Sequence, residues 1–184
     1  MTDTKIIIGI IGMPAAGKGT VAEYLASTHH AHKLRFSDAL NTILERLNTE
    51  RTRDNLIRLS EVIRETCGED VLARSILIGI EKTESSLIVI DGVRRESDIE
   101  LFRGLPNFKL IAIDTDIQIR YERAKKRAEK PEEANQSFED FAALDKRSTE
   151  VSTAELMKKA DARIDNNGTL DQLYAQIDQL IHNK

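Results

Sequence analysis

The chain has 184 residues, 40% hydrophobic and 32% charged, with a net charge of −4. That is one ordinary globular domain, long enough for a sizeable core and without a global basic footprint for nucleic acid. Aromatics at 4% and the absence of Trp leave base stacking along a strand unsupported. The single cysteine, Cys67, excludes an intramolecular disulfide and fits a reducing cytosol, and no apolar run or leader pattern indicates a membrane; we therefore expect a cytoplasmic protein with no membrane or nucleic-acid partner, either monomer or homodimer.

Lys5 to Ile11 is a β-branched run of strand length, followed by a glycine-bearing loop and a helix around Val21 to Leu25. Lys33 to Phe36 reads as a second strand, and Ser37 or Asp38 as the cap of a helix reaching about Asn48. Thr49 to Asp54 reads as a turn. Leu56, Leu59, Val62 and Ile63 have helical spacing within Asn55 to Cys67; Gly68 breaks that helix, and another carries Val71, Leu72, Ile76, Leu77 and Ile80. Leu87 to Ile90 has the continuous apolar character of a buried parallel strand. Ser97 to Arg103 reads as a short helix, Lys109 to Ile113 as a strand and Asp116 to Ala128 as a helix. Glu129 to Ser137 is polar and contains Pro131. Phe138 to Asp145 and Thr153 to Lys159 read as short helices, Ala162 to Asp165 as the last strand and Thr169 to Ile181 as the closing helix. The alternation predicts a three-layer α/β fold with a central parallel sheet of about five strands and right-handed crossovers. Ligands of such sheets sit beyond the strands' carboxyl ends, so the segments following each strand should gather at one edge.

The first such segment, Gly12-Met13-Pro14-Ala15-Ala16-Gly17-Lys18-Gly19-Thr20, has the composition and strand–loop–helix setting of a phosphate-binding P-loop. Backbone N–H groups of the loop and helix start converge on an anion. Gly12 and Gly17 allow close approach, Lys18 places a charge on the β/γ-phosphates, and Thr20 offers a hydroxyl to phosphate or metal. The usual Ser or Thr directly after the Lys is replaced by Gly19. Asp91, ending Leu87-Ile88-Val89-Ile90, stands where a carboxylate holds magnesium, and Thr20 and Asp91 are the candidate metal pair. Arg94 and Arg95 follow it with guanidinium forks suited to phosphate. Arg123 and Arg127 are four apart on one helix face, with Arg120 a turn earlier, and Arg147 lies beyond the polar stretch. His29, His30, His32 and His182 lack metal-ligand spacing.

The form GMPAAGKGT resembles adenylate kinase and related nucleoside-monophosphate kinases, whose loops usually carry Gly where Ala15 stands. IVIDGVRR resembles their Asp-Gly…Arg stretch, in which an arginine grips the acceptor phosphate. The resemblance implies ATP and Mg2+ as cofactors and a small-molecule, nucleotide-like acceptor. It places Gly12, Ala15, Ala16, Gly17, Lys18, Gly19 and Thr20 at the donor phosphates, and Arg94 and Arg95 at the acceptor. Phe36-Ser37-Asp38-Ala39-Leu40 resembles the start of the acceptor-binding segment, which makes Asp38 a candidate for orienting the attacking group; Asn41 replaces an acceptor-binding arginine, and Arg58 and Arg64 are candidates to substitute for it. The Arg123/Arg127 helix and the polar segment after it resemble the kinase lid, whose arginines close over the phosphates. The resemblance thus implies one P-loop kinase domain over residues 1–184, with acceptor-binding helices at about 37–83 and a lid at about 124–150. ADARIDNNGTLDQLYAQI resembles the end of dephospho-CoA kinases, which places Asn166 and Gly168 beside the donor's adenine. Most of the chain, through GMPAAGKGT, IDGVRR and FEDFAALDKR, resembles an archaeal P-loop kinase-like group. The implied activity is ATP-dependent phosphoryl transfer to a nucleoside monophosphate. Dephospho-CoA kinase is the alternative, and a nucleotide-binding switch or slow ATPase is a further one.

Overall fold

The computed structural model describes residues 5–127 and 136–182. Five parallel strands form one sheet in the order β2-β3-β1-β4-β5. They are β1 (Ile6–Ile11), β2 (His32–Arg35), β3 (Leu87–Asp91), β4 (Phe108–Asp114) and β5 (Ala162–Asp165). The helices are α1 (Lys18–His29), α2 (Phe36–Arg46), α3 (Arg53–Cys67), α4 (Val71–Lys82), α5 (Glu100–Arg103), α6 (Ile117–Arg127), α7 (Phe138–Leu144), α8 (Ser148–Lys158) and α9 (Leu170–His182), with a 3-10 turn at Glu96–Asp98 before α5. This is the five-stranded P-loop NTPase kinase fold.

The central strands are buried on both faces, which is why they read as unbroken apolar runs. Period-two alternation still sorts their side chains. Ile7 and Ile11 of β1, Ile88 and Ile90 of β3, and Leu110 and Ala112 of β4 face one core with α2, α4 and α8. Ile8 and Ile10, Leu87 and Val89, and Ile111 and Ile113 face the other, against α1 and α9 through Val21, Leu25, Leu173 and Ile177. Ile10 is fully buried; truncating it to Ala would remove about 2–5 kcal/mol.

Several boundaries differ from the sequence expectation. Helix α1 begins at Lys18, because Gly17, with φ of 97°, serves as its N-cap and turns the loop directly into the helix. Phe36 leaves the expected strand to start α2, and neither Ser37 nor Asp38 is the cap: the N-cap is Arg35, without a side-chain cap bond. Helix α3 starts within the expected turn, because the Thr52 side chain accepts a hydrogen bond from the Asn55 N–H. The Ser97–Arg103 segment is split into the 3-10 turn and α5. Helix α8 starts five residues early. Its first turn contains Glu150, which is buried in an ion pair with Arg94, a tertiary contact that local periodicity does not carry.

Candidate phosphoryl-transfer site

A cavity of about 780 Å3 opens beyond the carboxyl ends of β1 and β3. The P-loop residues Ala15 to Thr20 form one side and Asp91, Gly92, Arg94 and Arg95 another; Ser37, Leu40 and the α3 residues Arg53, Leu56 and Ser60 contribute to the wall. The lining includes Lys18, Arg35, Arg53, Arg64, Arg94, Arg95 and Arg123 against only three carboxylates, Glu61, Asp91 and Asp98. In a chain of net charge −4, this concentrates positive potential at one place, where it draws in anions.

The loop's shape is enforced from neighbouring strands. A Cβ at Gly12 would lie 2.8 Å from the Ile113 carbonyl oxygen, and one at Gly17 would lie 2.2 Å from Asn166 Nδ2. The Ala16 carbonyl accepts hydrogen bonds from Thr115 Oγ1 at 3.0 Å and Asn166 Nδ2 at 2.8 Å, tying the loop to the ends of β4 and β5. Ala15 adopts φ of 60°, the left-handed region that favours glycine. Arg120 is buried. It donates to the Thr115 and Pro14 carbonyls and grips both oxygens of Asp145 at 3.1 and 2.6 Å, so it braces the loop from α6 and α7.

Lys18 Nζ donates to the carbonyls of Gly12 at 2.6 Å and Met13 at 3.0 Å. Burial and the nearby Arg94 pull its pKa down from 10.5 to about 8, with Asp91 and Glu150 pulling the other way. The site thus holds a cation that gains from an anionic ligand. Arg123 supplies a second such group. Its Nη2 donates to the Asn166 carbonyl at 2.9 Å, while Nη1 is the buried side-chain polar atom without a hydrogen-bond partner among the described residues. That atom lies 4.0 Å from where a Gly17 Cβ would stand, beside the P-loop. An orphaned guanidinium nitrogen there fits the phosphates of a nucleotide, since a buried donor without a partner is costly. The α1 N-terminus, which carries no side-chain cap, fits them as well.

Magnesium fits more narrowly. Asp91 closes β3 with its side chain 20% exposed and Arg35 Nε at 3.7 Å from Oδ2, and Thr20 is exposed on the cavity wall. No group of three or more His, Cys, Asp or Glu able to hold a metal occurs among the described residues. One carboxylate with nucleotide phosphates and water is the way magnesium is commonly held, rather than in an all-protein cage.

The predicted residues divide around this cavity. Lys18, Gly17, Gly19, Thr20, Ala15, Ala16, Asp91, Arg94, Arg95 and Arg123 line it. Gly12 lies at the loop's base and Asn166 behind it, as a buried brace rather than an exposed contact. Asp38 is exposed in the first turn of α2 and is not among the lining residues; Ser37 is. Arg64 lines the wall, but its guanidinium is buried in an ion pair with Asp98 at 2.6 Å and donates to the Glu69 carbonyl and the Ser60 hydroxyl. Gly168 lies before α9, where its position packs on Gln172 and the Thr169 N–H donates to Gln172 Oε1. The Arg127 side chain lies outside the described residues, as do residues 128–135 in the middle of the expected lid. Arg35, Arg53, Asp98 and Glu150 were not legible as site residues. Asp98 holds the Arg94 and Arg95 N–H groups at 2.9 and 3.0 Å, a capping-box contact whose N3 acid was visible in the sequence.

Residues 8–158 match a family described as an AAA domain. UPF0200 proteins align along nearly the whole chain. One from Methanoculleus marisnigri is 30% identical over 95% of this chain and 94% of its own length. One from Methanoregula boonei is 28% identical over 96% of each. The chain belongs to the UPF0200 family and carries the domain described as an AAA domain. Solved structures agree in fold: TT1252 from Thermus thermophilus, at TM-score 0.59 and 20% identity over 98% of both chains, and shikimate kinase from Bacteroides thetaiotaomicron, at TM-score 0.61 and 13% identity over 95% of this chain and 96% of that one. The archaeal part of the sequence resemblance is therefore shown. The likeness to adenylate kinase and dephospho-CoA kinase rests on the motifs alone. In this UPF0200 protein the kinase-like fold, P-loop and cationic cavity support nucleotide-binding phosphotransfer in general.

Proposed function

We propose that this protein transfers the γ-phosphoryl group of ATP, with magnesium, to a small anionic, nucleotide-like acceptor, above all a nucleoside monophosphate. The observation that carries the reading is the Arg123 Nη1 atom, buried beside the P-loop without a partner among the described residues. In this reading Lys18 and Arg123 neutralise charge on the transferring group, Thr20 and Asp91 hold the metal, and Arg94 and Arg95 receive the acceptor across the cavity. Phosphoryl transfer needs little covalent chemistry from the protein; positioning and charge stabilisation suffice. Residues at about 124–150 would act as a lid that excludes water.

Dephospho-CoA kinase is the second reading. It is favoured by a groove that shares Arg95 and Thr149 with the main cavity and continues along Val151 and Leu156, room for an elongated acceptor. The experiment is an acceptor panel with γ-labelled ATP and magnesium. Label should move to a nucleoside monophosphate, with dephospho-CoA the next acceptor. ATP use that no acceptor increases would favour a switch or slow ATPase instead.

A further inference from the structure

The Glu150 side chain is 2% exposed, in the first turn of α8. A lone carboxylate there would be strongly disfavoured; it persists because it is paired. Its Oε1 lies 3.2 Å from Arg94 Nη1 and 3.7 Å from Arg53 Nη2. Three segments far apart in sequence therefore meet on one buried oxygen. Both arginines line the cavity, with side chains 49% and 47% exposed. Their roots are fixed: the Arg94 N–H is held by Asp98 Oδ2 at 2.9 Å, and Arg53 opens α3 next to its Thr52 cap.

We propose that Glu150 is the positioning residue of an anion subsite, holding Arg53 and Arg94 side by side so that their remaining N–H donors take a phosphate monoester of the acceptor. This rests on the kinase reading above and names the chemistry of its acceptor. Two guanidinium groups against one carboxylate leave a net positive charge. Each guanidinium carries five N–H donors, most of which Glu150 leaves free. Two forks fixed next to each other match a phosphate's several oxygens better than they match a hydroxyl. A neutral acceptor would leave that charge uncompensated.

The test is titration of adenosine 5′-monophosphate, and of adenosine as its phosphate-free counterpart, into the full chain at pH 7 with a non-hydrolysable ATP analogue and magnesium saturating the P-loop. The wild type should bind the monophosphate at least tenfold more tightly than adenosine. Arg53→Ala and Glu150→Gln should each weaken the monophosphate about tenfold, a loss of one charge-assisted contact. Adenosine should stay within about twofold in both variants and the ATP analogue in Arg53→Ala, while in Glu150→Gln, where Lys18 loses a supporting charge, the ATP analogue should weaken less than the monophosphate; Glu150→Asp should recover part of the loss. Thermal unfolding of each variant confirms that it is folded. Equal affinity for monophosphate and adenosine in the wild type overturns the subsite. So does unchanged monophosphate affinity in both variants, or an equal loss for the ATP analogue, which marks Glu150 as structural only. Failure of the kinase reading appears separately, as ATP turnover that no acceptor increases, and leaves this binding comparison readable.

Discussion

Around the P-loop, the groups that face a nucleotide are held by hydrogen bonds to neutral backbone carbonyls. The Ala16 carbonyl accepts from Thr115 and Asn166, Lys18 donates to two loop carbonyls, and Arg123 leans on the Asn166 carbonyl. Across the cavity, the arginines are held by carboxylates: Arg53 and Arg94 by Glu150, Arg64 by Asp98, Arg95 by Glu69 and Arg35 by Asp91. The first arrangement fixes shape and leaves its cations uncompensated, which suits a ligand with several phosphates. The second is an ion-pair network that compensates part of its own charge. Its exposed pairs are screened by salt, while Glu150 and Asp98 are buried. The donor side should therefore respond to pH, and the exposed pairs of the acceptor side to ionic strength.

The largest expected effect is on the donor side. Lys18→Ala should keep the fold and lower phosphoryl transfer by about a hundredfold or more, the scale of one preorganised donor. Turnover equal to the wild type would remove the P-loop from the mechanism. Next, Asp91→Asn keeps the shape and removes the charge. The magnesium concentration for half-maximal transfer should rise on the order of tenfold, a loss of about 1.4 kcal/mol in metal affinity; an unchanged titration would break the metal assignment.

The pH dependence sharpens the contrast. Lys18 has a pKa of about 8 in the folded protein, below its ordinary 10.5. Below about 8 the ammonium is charged and attracts phosphate; above it the proton is lost, so ATP affinity should fall as pH rises through that value. Stability of the ligand-free protein carries the opposite sign. Between about 8 and 10.5 the unfolded chain binds more protons at this site, so the Lys18 contribution to stability of the ligand-free protein rises with pH there. Lys18→Met should abolish the affinity step, and its persistence would assign it to another group. The smallest effect belongs to Ala15, whose φ of 60° glycine adopts without a Cβ penalty. Ala15→Gly should change stability by no more than about 1 kcal/mol, measured by denaturant unfolding, because relieved strain and added unfolded-chain freedom oppose each other.

The two sides also differed in how far the sequence revealed them. The P-loop, Asp91 and the strands were legible because each is a short run whose composition and neighbours carry the signal. Arg123 was legible from helical spacing. Glu150 was not: its meaning lies in a contact with residues 56 and 97 positions away, and local patterning holds no record of it. Arg35 and Arg53 read as ordinary surface arginines for the same reason. Asp38 read as a site residue from the resemblance of Phe36 to Leu40 to an acceptor-binding segment; it stands exposed in the first turn of α2, where its neighbour Ser37 lines the cavity.

The central claim is that the Arg123 guanidinium serves charge that develops during transfer. The direct measurement is Arg123→Ala against wild type, assayed for ATP affinity, for ATP hydrolysis without acceptor, and for transfer to the best acceptor of the panel. The account predicts that acceptor raises ATP use in the wild type. It predicts that the substitution lowers transfer by about 2–4 kcal/mol in the barrier while ATP affinity changes much less. ATP use that no acceptor increases, together with a variant whose turnover matches the wild type, would contradict it.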